Sequence, residues 1–493
     1  MYIRSRVRVK LVRTRYTQFP RRPWTAIAGL MAIAFLIAAC GGSAPGVTPE
    51  STDTGQATST PALESPTASP GATPIVVPTP GQGGLSREQL LALLASPTPE
   101  GQVASPSSTP EQGTVAAVEQ ATPDPASAGN NPQPATSPTP NSPVGGEVGG
   151  QAAELEGIVA WINSEPLTIQ ELRGKVVLVD FWTYTCINCI RTFPFLKLWH
   201  ARYADDGLVI LGVHTPEFDF EKVLDNVVAA TRDNGIVWPV ALDNDYATWR
   251  NYSNRFWPAK YLIDGDGVVR YTHFGEGAYA ETERQIRDLL EENGADLSDD
   301  AFTLPSDQQI DPTYRNSINA EITRELYAGY DRGYFDNRYG QGGYVRQQEY
   351  YQERNVRVFF QSPEELLPNL IYFDGLWEIG PESATHGQEG NSSEDYLSIV
   401  YSARSVNAVL TSESGEDYRV MITMNGENLT ADNKGADVTI GANGESYILV
   451  TGPRLYNIVE NPVYMRRQTL RMSSDSAEFG LFAFTFGVYE KTG

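Results

Sequence analysis

Cysteine and histidine are scarce in this chain. Its 493 residues include only three cysteines and four histidines. Two of the cysteines, Cys186 and Cys189, form a C-x-x-C pair in WTYTCINC. A zinc site needs two further ligands, and the histidines lie scattered; a c-type haem attachment needs His where Ile190 stands. A structural disulfide across so short a loop removes little entropy from the unfolded chain. A reversible dithiol is therefore favoured.

Acidic residues are missing from the first 23 positions, which hold eight Arg and Lys residues. The apolar run WTAIAGLMAIAFLIAA then leads to Cys40. This pattern predicts a secretory signal over residues 1–39, since the run is short for a membrane span. The letters IAAC resemble a bacterial lipobox, which implies that Cys40 is lipidated and becomes the new N-terminus. An uncleaved signal anchor is the alternative, and it would leave the chain on the same extracytoplasmic face of the membrane.

Aromatic residues are absent from residues 41–150, which hold 19 of the 33 prolines. A segment of this composition cannot bury enough apolar surface to offset its ordering entropy. We therefore predict a disordered Pro/Thr/Ser-rich linker over residues 40–150, which would hold the folded part away from the membrane.

Positive charge is also in short supply, because 37 Lys and Arg residues face 61 Asp and Glu residues, for a formal net charge of −24. Loss of the basic signal would make the mature chain more acidic still. Nucleic acid and anionic membrane surfaces are therefore not expected as partners.

Two globular domains are predicted after the linker. Strand-like and helix-like segments alternate over residues 151–296, including the strand VVLVDFW and a helix from 187 to 204, which indicates an α/β domain. Short strand-like runs separated by turn residues follow over residues 297–493, which is typical of an antiparallel β-sandwich.

The strand VVLVDFW would deliver Cys186 to the first turn of the following helix. Unpaired N–H groups and the helix dipole stabilise a thiolate there, so Cys186 is the candidate nucleophile. Cys189, one turn further along, would be shielded and would resolve the mixed disulfide.

These residues resemble the thioredoxin superfamily. Asp180 precedes Cys186 by six residues, where that family has a buried carboxylate. Pro194 stands where the family kinks its first helix, and Trp257 and Pro258 in FWPAKYLID stand at its cis-proline. The resemblance implies a thioredoxin fold, with Asp180 handling the proton of the shielded sulfur and Trp257 and Pro258 orienting the substrate.

The likeness is greater to TlpA-like and DipZ-like extracytoplasmic thiol:disulfide oxidoreductases. It rests on FWTYTCINCIRTFPFLKLWHARY and GLVILGVHTPEF, and it continues through TRELYAGY, GLWEIG and FAFTFG. It implies a proton-handling role for Glu217, although an ordinary loop acid fits as well. It also implies a carbohydrate-binding-module-like sandwich at the C-terminus. DipZ-like chains carry their own membrane electron conductor; for this chain only a lipid anchor is expected, so a separate donor of the CcdA/DsbD type is expected.

The sequence thus predicts a lipid-anchored oxidoreductase that reduces protein disulfides. It needs no metal and no cofactor beyond the Cys186–Cys189 disulfide, and Trp182 and Trp257 are expected to form an apolar rim for an extended peptide. The rival is a surface protein whose sandwich binds a glycan or a protein, with the redox domain secondary. A thiol peroxidase is a weaker alternative.

Overall fold

The computed structural model describes the backbone of residues 75–77 and, in full, residues 145–298, 312–333, 343–352, 354–390, 394–412 and 414–490. The predicted signal over residues 1–39, Cys40 and most of the linker lie outside the described residues. Within the described ranges, every helix is too short or too polar to cross a membrane.

The first domain is built on a seven-stranded mixed sheet in the order β1-β2-β5-β4-β3-β6-β7. Its strands are β1 Ile75–Val77, β2 Ala160–Ile162, β3 Val176–Trp182, β4 Leu208–His214, β5 Val240–Leu242, β6 Ala259–Ile263 and β7 Val269–Phe274. Its helices are α1 Ile187–Tyr203, α2 Leu224–Asp233, α3 Ala247–Asn251 and α4 Tyr279–Glu292, with a 3₁₀ turn at Asp219–Lys222. Strands β3, β4 and β5 run parallel, whereas β6 is antiparallel to β3. The predicted thioredoxin fold is confirmed.

The central strand β3 explains where the site lies. All seven of its residues are buried, because the sheet is covered on both faces. Val176, Leu178 and Trp182 pack in the core that includes α1, and the alternate residues pack in the core on the opposite face. The chain leaves β3 at its carboxyl end and enters α1 within four residues, so the cysteines lie at the edge of the sheet.

Two stretches assigned to the linker by composition take part in this domain. β1 pairs in parallel with β2. Residues 145–150 attach to the sheet, since the Gly145 N–H donates to the Asn251 carbonyl at 3.2 Å and the Gly149 N–H to the Val269 carbonyl at 2.8 Å.

The second domain is all-β, as predicted. Its strands are β8 Leu326–Tyr327, β9 Arg357–Phe360, β10 Ile371–Ile379, β11 Ala384–His386, β12 Tyr396–Thr411, β13 Tyr418–Met424, β14 Glu427–Asn428, β15 Val438–Ile440, β16 Ser446–Val450, β17 Arg454–Ser473 and β18 Gly480–Gly487. The domain also contains two short helices, α5 Pro312–Arg315 and α6 Tyr330–Gly333, and a 3₁₀ turn at Gln348–Tyr351.

Two long strands organise this domain, in place of the short strands that the sequence predicts. The runs DYLSIVYSA and VNAVLTS form one strand, β12, which pairs along its length with β17. The first part of β12 also pairs with β10 and its second part with β18. Register shifts between Tyr401 and Ser405 separate the two parts. Bulges of this kind bend a strand, so β12 can pair with β10 along its first part and with β18 along its second part within one 11-stranded sheet.

The two domains meet through aromatic side chains. Phe218 and Phe220, which follow β4, pack on Phe482 of β18 with ring centroids 5.2 and 4.9 Å apart. Phe218 and Phe482 are both buried. The β domain therefore covers the segment that follows β4. Strand β4 lies next to β3, the strand that leads to the cysteines.

Candidate active site

The cysteine pair forms a disulfide at the start of α1, with the two Cα atoms 5.2 Å apart. Cys186 is the N-cap residue, and its Sγ accepts a hydrogen bond from the Cys189 N–H at 3.1 Å. Cys186 is half-buried, whereas Cys189 is fully buried. The first sulfur is thus the accessible one and the second is shielded, which is the arrangement needed for a nucleophile and a resolving thiol.

Helix α1 supplies a favourable field for a thiolate at Cys186. Its own first turn contains no acid, so no side chain of that turn offsets the positive end of the helix dipole. Phe193, Leu196 and Trp199 anchor the helix in the core at helical spacing. Pro194 lies inside the helix, as the resemblance implies.

Asp180 is buried on the central strand and pairs with Lys260, which is directly opposite on β6. The carboxylate and ammonium groups are 3.1 Å apart, and each side chain is only 1% exposed. Burial raises the pKa of Asp180, and the ammonium of Lys260 opposes that rise. A buried carboxyl with a raised pKa takes up a proton more readily than an exposed one. The sequence predicts Asp180 but not its partner, because Lys260 sits in the ordinary strand AKYLID.

The two tryptophans proposed for the rim occupy different environments. Trp182 is 1% exposed and packs edge-on against Phe193 at 5.4 Å, so it belongs to the core and not to a substrate rim. It points inward because alternate residues of β3 face the α1 layer. Trp257 is half-buried, packs on Trp249 at 4.3 Å, and precedes Pro258 through a cis peptide bond, as the resemblance implies.

Glu217 lies at the junction of the two domains. Its carboxylate forms an ion pair with Arg332 and accepts a hydrogen bond from the Tyr327 hydroxyl at 3.0 Å. Both partners belong to the β domain, and the carboxylate is largely buried between them. The structure thus assigns Glu217 a contact across the domains, and its proton-handling role stays a prediction.

A second glutamate, Glu221, lies next to the cysteine loop, and the sequence does not single it out. It is fully buried. Its carboxylate accepts hydrogen bonds from the Thr185 hydroxyl at 2.6 Å and from the Thr185 N–H at 3.3 Å. The N–H groups of Glu217 and Phe218 donate to its other oxygen at 2.5 and 3.0 Å. Burial and the nearby charge of Glu217 raise the pKa of Glu221 to about 7.

One histidine, His214, contacts the loop between β3 and α1 through Thr183. His214, at the end of β4, is fully buried between Trp182 and Tyr184, and burial lowers its pKa to about 3, so it is neutral. Among the residues that the structure describes, no group of three or more His, Cys, Asp or Glu side chains could hold a metal ion.

An accessible and a shielded cysteine at the start of a helix, fed by the central strand of a mixed sheet, define a thioredoxin-fold dithiol protein. Comparisons with known families agree. The Redoxin model matches residues 162–290, and a model described as "Thioredoxin like C-terminal domain" matches residues 323–487, the all-β domain. The chain is therefore similar to redoxins in its α/β domain and to that second family in its all-β domain.

The chain is homologous to DipZ across both domains. It is 36% identical to "Protein DipZ" of Mycobacterium tuberculosis over 343 residues, which cover 69% of this chain and 43% of DipZ. It thus spans less than half the length of that relative. Two shorter relatives match the redox domain. "Thiol-disulfide oxidoreductase YkuV" of Bacillus subtilis is 27% identical over 28% of this chain and 93% of its own length. "Thiol-disulfide oxidoreductase ResA" of Bacillus thuringiensis is 26% identical over 27% of this chain and 72% of its own length.

Proposed function

We propose that this protein is a thiol:disulfide oxidoreductase that reduces disulfides in other proteins. The observation that carries the proposal is the disulfide between half-buried Cys186 and fully buried Cys189 at the N-terminus of α1. The redoxin match and the names of YkuV and ResA support the same activity. They favour it over the surface-binding alternative, which has no comparable support.

The reaction follows from the order of exposure. The Cys186 thiolate attacks a substrate disulfide, forms a mixed disulfide and releases one substrate thiolate. The Cys189 thiol then loses its proton and attacks Cys186 Sγ; the mixed disulfide breaks, and the second substrate thiolate leaves and takes up a proton. The protein is oxidised by two electrons, and a separate donor must reduce it again. Asp180 is the proposed acceptor of the Cys189 proton, and Trp257 with Pro258 orients the substrate.

The direction of the reaction can be measured by equilibrating the full chain with reduced and oxidised glutathione. We expect the dithiol form to be strongly reducing, with a potential below the roughly −180 mV of protein disulfide isomerase, since the TlpA-like and DipZ-like relationship suggests a reductant. Thiol-specific alkylation followed by mass spectrometry reports the ratio of the two forms. A potential near the roughly −120 mV of a strong disulfide donor would reverse the proposed direction.

We further propose that the protein is anchored by a lipid on Cys40 to the extracytoplasmic face of the cell membrane. The signal-like N-terminus and the IAAC sequence support this location, and a donor of the CcdA/DsbD type would supply electrons there. Cys40→Ser should abolish incorporation of labelled fatty acid and shift the protein from the membrane to the soluble fraction. Membrane association that is unchanged in the variant, with no fatty-acid label in either protein, would contradict the lipid anchor and favour a signal anchor.

The β domain remains a candidate binding domain for a glycan or a protein. The proposed likeness to carbohydrate-binding modules is fold-level, and a fold of this kind supports many functions. Among the aromatic residues of its strands, Tyr372 and Trp377 are buried, and Tyr396 is half-buried beneath Arg471. Their burial indicates that Tyr372 and Trp377 pack in the core of the domain.

A further inference from the structure

Glu221 joins two loops at the carboxyl edge of the sheet. One is the loop from β3 to α1, which contains Thr185 and Cys186. The other follows β4 and contributes the N–H groups of Glu217 and Phe218. A buried carboxylate with four donors and no cationic partner among its described contacts is costly unless every donor is satisfied or the group takes up a proton. Its protonation state therefore bears directly on the residue before Cys186.

We infer that Glu221 is a positioning residue of the dithiol, which through Thr185 couples the uptake of a second proton to reduction of the Cys186–Cys189 disulfide. The inference rests on the proposed redox function and adds a residue to it. The 2.6 Å contact between the Thr185 hydroxyl and the Glu221 carboxyl allows either oxygen to donate, so the bond survives protonation of Glu221. The loop can thus keep its shape while the charge beside it changes.

The coupling follows from the charges on the two sides of the reaction. Reduction by two electrons from a thiol donor breaks the S–S bond, leaves Cys189 as a thiol after it takes up one proton, and leaves Cys186 as a thiolate. That new negative charge lies one residue from Thr185, and like charges in a buried setting raise each other's pKa. Glu221 then takes up the second proton. The pKa of about 7 in the disulfide form places this uptake in the physiological range.

The other ionisable groups around Glu221 are not the site that takes up the second proton. They are Tyr184, His214, Glu217, Asp219, Lys222, Arg332 and, behind Glu217, Glu325, which accepts its hydrogen bond from Tyr327 of the β domain and not from the cysteine loop. Burial keeps Tyr184 neutral by raising its pKa and keeps His214 neutral by lowering its pKa. Glu217 is paired with Arg332, and Asp219 is paired with Lys222 on the exposed side of the turn.

The test compares the glutathione equilibrium of the full chain and of Glu221→Gln between pH 5.5 and 8.5. At low pH Glu221 is protonated in both redox forms, so the two proteins should have equal equilibrium constants. Above pH 7 the wild type must bind a proton on reduction, whereas the glutamine variant does not. We expect the variant to become about tenfold easier to reduce than the wild type, which is about 30 mV for a two-electron couple.

Asp243→Asn is the matched control. Burial raises the pKa of Asp243 to about 6, but its hydrogen bonds come from Thr215, Thr248 and Trp249 and not from the cysteine loop. Its equilibrium constant relative to the wild type should stay constant with pH. Thr185→Val keeps the Glu221 carboxylate but removes the hydroxyl that donates to it, which should raise the pKa of Glu221. The bend in the plot of the equilibrium constant against pH should therefore lie at higher pH than in the wild type. This variant decides the matter if Glu221→Gln does not fold.

Two results would overturn the role of Glu221 while leaving the redox function intact. One is a ratio of the Glu221→Gln and wild-type equilibrium constants that stays constant across this pH range, and the other is a bend in Thr185→Val at the same pH as in the wild type. If the Cys186–Cys189 pair of the wild type does not exchange with glutathione at all, that result would instead count against the proposed function. In that event the rate of alkylation of Cys186 in chemically reduced protein is measured against pH. A profile that is identical in the wild type and Glu221→Gln would again overturn the inference.

Discussion

Cys186→Ser should reduce the rate of insulin disulfide reduction to the uncatalysed background, a loss of at least about a thousandfold. Cys186 is the accessible sulfur, and serine at this position cannot form a disulfide with substrate. Cys189, being fully buried, cannot replace it as the attacking group. The rate is measured with a thiol reductant that regenerates the dithiol.

Cys189→Ser should give the complementary result. Cys186 would still attack, but the mixed disulfide would persist because no resolving thiol lies behind it, so substrates can be captured and identified. Cys40→Ser serves as the matched control, since it removes the third cysteine without touching the redox domain. Full insulin reduction by Cys186→Ser would remove Cys186 from the mechanism, and capture of mixed disulfides by that variant would point to Cys189 as the attacking group.

Lys260→Met should lower the free energy of unfolding by about 3–5 kcal/mol, since it leaves the carboxylate of Asp180 buried without its partner. The two side chains are each 1% exposed, so water cannot replace the lost ammonium. The methionine fills most of the volume of the lysine stem, which keeps the loss from being a cavity effect. Urea unfolding of the full chain, followed by tryptophan fluorescence, measures the change.

The double variant Asp180→Asn with Lys260→Met should regain most of the stability lost in Lys260→Met, because no unpaired charge remains. Asp180→Asn should slow release of substrate from the mixed disulfide by about a hundredfold if Asp180 accepts the Cys189 proton. A Lys260→Met protein as stable as the wild type would show that the pair contributes little to the fold. Unchanged release in Asp180→Asn would leave Asp180 a structural role alone.

Local patterns along the chain were sufficient to predict the redox centre. The run VVLVDFW is apolar apart from Asp180, which is typical of a central strand covered on both faces, and the cysteines follow it at the start of a helix. The alternation of strands and helices predicted the class of the first domain. The long strands β12 and β17 were not predicted, because bulges break the two-residue alternation by which a strand is recognised.

Contacts between distant residues escaped sequence reasoning. Lys260 reads as an ordinary strand residue until β6 aligns it with Asp180, and His386 has no evident partner until folding brings its ring to 3.0 Å from the carboxylate of Asp395. Trp182 and Trp257 are both predicted for the rim from the sequence, yet the pleat of β3 places Trp182 in the core, and Trp257, which precedes β6, stays partly exposed.

The chemistry and its order were thus already present in a few neighbouring residues, since strand, cap and helix are specified by short-range periodicity. The surroundings of that chemistry arose only on folding. Packing of the β domain binds Glu217 to Arg332, and the turn after β4 brings Glu221 to Thr185, 36 residues away in sequence. Burial and the pKa of a carboxyl group depend on everything within a few ångströms, and no stretch of neighbouring letters contains that information.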